Sequence, residues 1–201
     1  MIKKGFTLAE VLIVVGIIGI IAELTIPELV NNFQKQVVVT RLEKFYTNMT
    51  QAIKLSEIDN GPAYSWDYGD GSAVGNKKFV ENYIAPYYRN TGVIVAQDGS
   101  PGIQLADGTN IFFSKGSYMD VGVLFEPNKA QKDGRNKFYY DFYPGVAENT
   151  FRPYEAGREN IQGREKYSVG DWGCNSTGVW KAMCSGLIMY DGWQIKDDYP
   201  W

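Results

Sequence analysis

Residues 11–22, VLIVVGIIGIIA, are uninterrupted Val, Leu, Ile, Gly and Ala. Nothing else in the chain constrains its fold as strongly. From Phe6 to Ile26 there are 21 residues, ~31 Å as helix and enough to cross a hydrocarbon core of roughly 30 Å. Lys3 and Lys4 precede the run and favour a cytoplasmic amino terminus. A secretory signal would continue into a small-residue cleavage site, whereas Ala22-Glu23-Leu24-Thr25-Ile26-Pro27 has no A-x-A pattern, so the apolar segment reads as retained.

Glu10 is the anomaly, because an acid inside a spanning helix costs on the order of 2.5–3.5 kcal/mol at mid-depth and less near the end. Two compatible readings account for it. Thr7-x-x-Glu10 has the spacing of a capping box, in which the carboxylate satisfies amides at the positive end of the helix. Alternatively, Glu10 awaits a buried cation on another molecule. A newly exposed α-amine on Phe6 would suit, since such a pair in a low-dielectric bundle fixes one subunit against the next.

Past Pro27 the pattern turns amphipathic. Leu29, Val30, Phe33, Val37, Leu42, Phe45, Met49 and Ile53 recur every three to five residues among polar ones, and most of residues 38–57 are expected to pack on the protein's own core. Asp59-Asn60-Gly61-Pro62 supplies a stop. Pro27 removes one backbone hydrogen bond and should bend or loosen the helix. Gly16 and Gly19 form a small-x-x-small pair that permits close helix approach, or are simply tolerated, as glycine is in membrane helices. Helix from Phe6 to Glu57 would be ~78 Å long. About half is therefore expected to project, with the bilayer or a bundle of like helices as its two homes.

Residues 58–76 read as a long loop and Lys77–Tyr88 as a short amphipathic helix ending near Pro86. Residues 102–106 and 110–113 flank Asp107-Gly108, a hairpin signal. Tyr118–Phe125 and Lys137–Tyr143 read as two further strands. Ser185–Tyr190 and Trp193–Lys196 flank Asp191-Gly192 as another hairpin. The expectation is an α+β head whose sheet is covered on one face by the amphipathic half of the helix. Tyr64, Trp66, Tyr68, Trp172, Trp180 and Trp193 read as core plugs or as an exposed surface for a sugar or host ligand. Asp67-x-x-Asp70-Gly71 and the Asp191, Asp197, Asp198 group match no EF-hand loop, and Asp-Gly is first of all turn chemistry. No metal or other cofactor is expected.

Composition narrows the function. Histidine is absent, which removes the commonest general base and metal ligand. Cys174 and Cys184 are the only cysteines, too few for a four-cysteine zinc site. The formal charge is −3 and becomes −5 without Lys3 and Lys4, which argues against nucleic acid as the main partner. No nucleophile elbow or phosphate-cradling glycine motif occurs. The chain does not read as an enzyme, although a membrane-anchored extracytoplasmic enzyme and an adhesive or DNA-capturing module are the competing classes.

Lys-Gly-Phe-Thr-Leu-Ala-Glu followed by an apolar helix resembles the type III signal sequence of the type IV pilin and pseudopilin family. The resemblance implies cleavage between Gly5 and Phe6 by a prepilin peptidase, methylation of Phe6, a role for Glu10 in subunit register, and a helix-kinking Pro27. It implies a leader at residues 1–5, a transmembrane and filament-core helix at 6–26, an amphipathic continuation at 27–57 and an extracytoplasmic head at 58–201. The protein would then be a structural subunit of a type IV pilus or type II secretion pseudopilus, the acid at Glu10 implying a place within the shaft or just below its tip and the large head being compatible with a minor, tip-proximal role. Its partners would be the peptidase, other pilin subunits, an inner-membrane assembly platform and, before assembly, membrane lipid. It would first lie single-pass in the inner membrane with the head outside the cytoplasm. In an exported head, Cys174 and Cys184 are expected as a disulfide worth about 3 kcal/mol, the alternative being two unpaired thiols.

Overall fold

A computed structural model of the chain describes residues 5, 7–148, 150–155 and 160–201. The chain separates into two compact units, residues 1–37 and 38–201. Helix α1 spans Leu8–Asn60 and runs through Pro27 without interruption. It ends at the Asp59-Asn60-Gly61-Pro62 stop, three residues past Glu57: Gly61 takes φ +74°, its N–H donates to the Glu57 carbonyl at 3.0 Å, and Pro62 cannot continue the ladder.

In the second unit, α1 buries Leu42, Phe45, Met49, Ala52, Ile53 and Ser56, a stripe at helical spacing against one face of a sheet. That sheet has six strands in the order of the chain, each antiparallel to the next. They are β1 (Gly92–Val95), β2 (Pro101–Gln104), β3 (Asn110–Lys115), β4 (Met119–Leu124), β5 (Lys137–Phe142) and β6 (Phe151–Pro153). Alternation sorts the side chains. Ile111, Phe113, Val121, Val123, Phe138 and Tyr140 are fully buried toward α1, with the Phe45 and Tyr140 rings 5.1 Å apart. Phe112, Ser114, Asp120, Gly122, Leu124, Lys137 and Tyr139 occupy the opposite face. A long amphipathic helix on an antiparallel meander is the expected α+β, pilin-like architecture.

The hairpin at Asp107-Gly108 and the strands near 118–125 and 137–143 form as expected. Strands β1 and β6, which no sequence signal had marked, complete the sheet. Helix α2 (Ala73–Phe79) starts earlier than Lys77, because the Ser72 hydroxyl caps it by accepting from the Gly75 N–H at 3.0 Å. It continues as one wide turn, Val80–Ile84. Trp66 and Tyr68 are buried in an aromatic cluster with Phe79, Tyr83 and Phe142.

The expected hairpin around Asp191-Gly192 is incorrect. Residues Cys184–Tyr190 form helix α3, and residues 193–196 form no strand. Gly192 at φ +74° is the helix terminator. Its N–H donates to the Met189 carbonyl at 3.1 Å and that of Trp193 to the Ile188 carbonyl at 2.9 Å, the paired bonds of a Schellman motif. Asp-Gly supplies positive φ equally well to a hairpin or to a helix end, and packing chose the second.

Candidate functional site

The first unit is defined by what it leaves uncovered. From Thr7 to Gln34 every residue is exposed except the half-buried Ala22. Twelve large apolar side chains from Leu8 to Ile26 face outward. At roughly 1.5–3 kcal/mol each, their burial elsewhere is worth on the order of tens of kcal/mol. This one helix is long and apolar enough to cross a membrane. At Gly16 and Gly19 an added Cβ would meet nothing within 4 Å, so both positions are open to a close neighbour.

At the start of α1 the capping box is formed in full. The Thr7 N–H and the Thr7 hydroxyl both donate to Glu10 Oε2 at 2.8 Å, and the Glu10 N–H donates to Thr7 Oγ1 at 3.2 Å. Among the described residues, Oε1 accepts no hydrogen bond. Gly5 is exposed; Phe6, the expected new terminus, and residues 1–4 of the expected leader lie outside the described residues. Pro27, inside α1, has no N–H to offer the Glu23 carbonyl.

At the other end of the chain, Cys174 and Cys184 are joined by a disulfide, both nearly inaccessible. It ties the 174 loop to the first turn of α3. Arg164 binds Asp191 through Nε at 2.8 Å and Asp198 through Nη1 at 2.6 Å, and Lys196 adds a contact to Asp191 at 2.8 Å. Burial opposes the charged form of Asp191, but hydrogen bonds from Arg164 and Lys196 hold its carboxyl below the usual range. The Asp191–Asp198 group is therefore a salt-bridged clamp on the tail. Asp67 and Asp70 accept from the amides of Gly69 and Ser72 in their own turns.

One arrangement gave no sequence signal. Asp120 on β4 stands opposite Asp141 on β5. Asp141 is fully buried, its Oδ2 accepting from the Tyr143 hydroxyl at 3.1 Å, while its Oδ1 has no hydrogen-bond donor among the described residues. Burial, then the Asp120 charge, raises the Asp141 carboxyl to about 8, and burial raises Asp120 also. Each carboxylate disfavours the charged form of the other, so the two titrate as a pair. Its register across two strands, not any local motif, brings it together.

Comparison with known proteins divides the chain in the same region as α1 changes character. Residues 28–201 match the model of a family of unknown function, DUF6613, and residues 1–22 match that of the prokaryotic N-terminal methylation motif. No curated protein and no solved structure matches the chain.

Proposed function

Because the chain belongs to the DUF6613 family and opens with the signal of type IV pilin-like prepilins, we propose that it is a structural, non-enzymatic subunit of a type IV pilus or type II secretion pseudopilus. One observation carries this reading: an apolar helix exposed along its length, led by a carboxylate five residues after the cleavable glycine. Prepilin peptidase cuts between Gly5 and Phe6 and methylates the Phe6 amine. Residues 6–26 then reside in the inner membrane, with residues 58–201 outside the cytoplasm, until the assembly platform extracts the subunit. The driving step is transfer of the helix from lipid into a bundle of like helices, where van der Waals packing and polar pairing replace lipid contact. Glu10 has a part in both states. Its Oε2 caps α1 within the chain, and its Oε1 accepts the Phe6 amine of a neighbouring subunit, an attraction strengthened by the low dielectric of the bundle.

Intact-mass and peptide analysis of protein from cells with and without prepilin peptidase tests the reading. The expected product lacks residues 1–5 and carries a methyl group on Phe6 only where the peptidase is present. A mature chain beginning at Met1, or beyond Ile26, overturns it. For Glu10, replacement by Ala should leave membrane insertion intact and reduce incorporation into filaments when the variant competes with the parent. Assembly at parental yield would leave the capping box as Glu10's whole role.

A further inference from the structure

A cavity of about 440 Å³ opens on the sheet face that α1 does not cover. One wall is aromatic: Tyr154, Trp172 and Trp180 stack in series, with ring centroids 5.7 and 5.6 Å apart. Trp172 is 41% and Trp180 51% exposed, large apolar area that the core does not use. Their backbone is fixed in place. The Trp180 N–H donates to the Asp171 carbonyl at 3.0 Å, the Met183 N–H donates to the Trp172 carbonyl at 3.1 Å, and the Cys174–Cys184 disulfide closes the loop that carries Trp180. A wall held this way loses little freedom when it meets a ligand.

The floor gives an independent indication. Gly122 sits inside β4, an interior strand, where glycine is destabilising by roughly 0.5–1 kcal/mol and often marks close approach by a ligand. Nothing in the fold demands it, since an added Cβ would meet only Leu124 Cδ1, at 3.8 Å. Gly102 in β2 differs, its Cβ position falling 2.3 Å from the Ile111 carbonyl oxygen. A Cβ at 122 would fit the protein and take up space in the cavity that Gly122 lines. The rim is polar and mildly acidic: Asp98, Asp120, Ser100 and Ser114 line it with a single cation, Lys137, itself 3.9 Å from Asp133.

We propose that this cavity binds a neutral hexose ring of a glycan, its C–H face against the Trp172–Trp180 wall and its hydroxyls on Asp98, Asp120 and Ser114. The negative face of an aromatic ring attracts the weakly positive C–H groups of a pyranose. Carboxylates accept from sugar hydroxyls, and two acids against one lysine disfavour acidic sugars. Apolar walls with a few placed polar groups are the usual composition of a small-ligand site.

The test uses the full chain in a zwitterionic detergent without a sugar head group, titrated with maltotriose, cellotriose, N-acetylchitotriose and sialyllactose while tryptophan fluorescence is followed. At least one neutral trisaccharide should bind saturably. Gly122→Val should weaken that binding about tenfold or more while melting at or above the parental temperature, because a β-branched residue suits a strand. Trp180→Ala, in an exposed loop, should weaken it as much and keeps the test valid if the first variant does not fold. Tyr64→Ala, which removes an exposed ring elsewhere, should bind as the parent does. No saturable binding by any neutral sugar, tighter binding of sialyllactose, or undiminished binding by Trp180→Ala overturns the proposal.

Discussion

Asp141 faces Asp120 from β4, Tyr143 from its own strand end and Arg152 from its cross-strand partner β6. Its carboxyl is raised from 3.8 in the unfolded chain to about 8 in the folded one. Between those values the folded state binds more protons than the unfolded, so stability falls as pH rises from about 4 to about 8 and levels off above. Asp141→Asn keeps a neutral group of similar shape and removes this slope. Thermal unfolding across pH 5 to 9 should find the variant gaining on the parent toward alkaline pH; parallel curves would mean that Asp141 is ionised throughout. The pair was not legible in the sequence, because two aspartates twenty-one positions apart become neighbours only through strand register. Glu10 was legible, because a capping box is local: two residues three positions apart and one helix start define it.

Helix α1 joins two kinds of apolar residue that share one periodicity. Leu29, Val30 and Phe33 continue the stripe of Leu42, Phe45 and Met49, yet the first three are exposed and the last three buried. Spacing marks a face without naming what covers it. Truncating Met49, fully buried under the sheet, to Ala should cost about 2–5 kcal/mol through lost burial and the cavity left behind. Leu29→Ala, in the same helix, should leave the unfolding of residues 38–201 unchanged within about 0.5 kcal/mol. Denaturant unfolding of both variants in detergent checks the pair, and equal losses would show that the stripe is one packed surface. Elements failed to be legible where one signal served two structures. Asp191-Gly192 closes α3 rather than a hairpin, and the short strands β1 and β6, four and three residues long, carry too few residues to display an alternation of their own.

At the scale of the whole chain, every buried apolar side chain among the described residues lies at Leu42 or beyond. The six strands, the disulfide and the Arg164 clamp also lie within residues 38–201. The described residues up to 37 contribute apolar surface and no buried apolar side chain. Insolubility should accordingly belong to the first unit and stability to the second. A chain beginning at Val38 is expected to remain soluble without detergent and to melt within about 5 °C of the full chain, since 1 kcal/mol moves the midpoint by roughly 2–4 °C at this size. The same chain should no longer be retained by membranes under alkaline extraction, whereas the full chain should be. Circular dichroism melts and membrane flotation measure the two halves of the expectation separately. If the shortened chain aggregates or loses its cooperative melt, residues before 38 support the fold itself, and their exposure cannot then be reserved for lipid or for other helices. If it melts like the parent, the twelve outward-facing apolar residues have no role in holding this chain together. Their burial energy, tens of kcal/mol by area, is then free to drive association with a membrane and with other subunits.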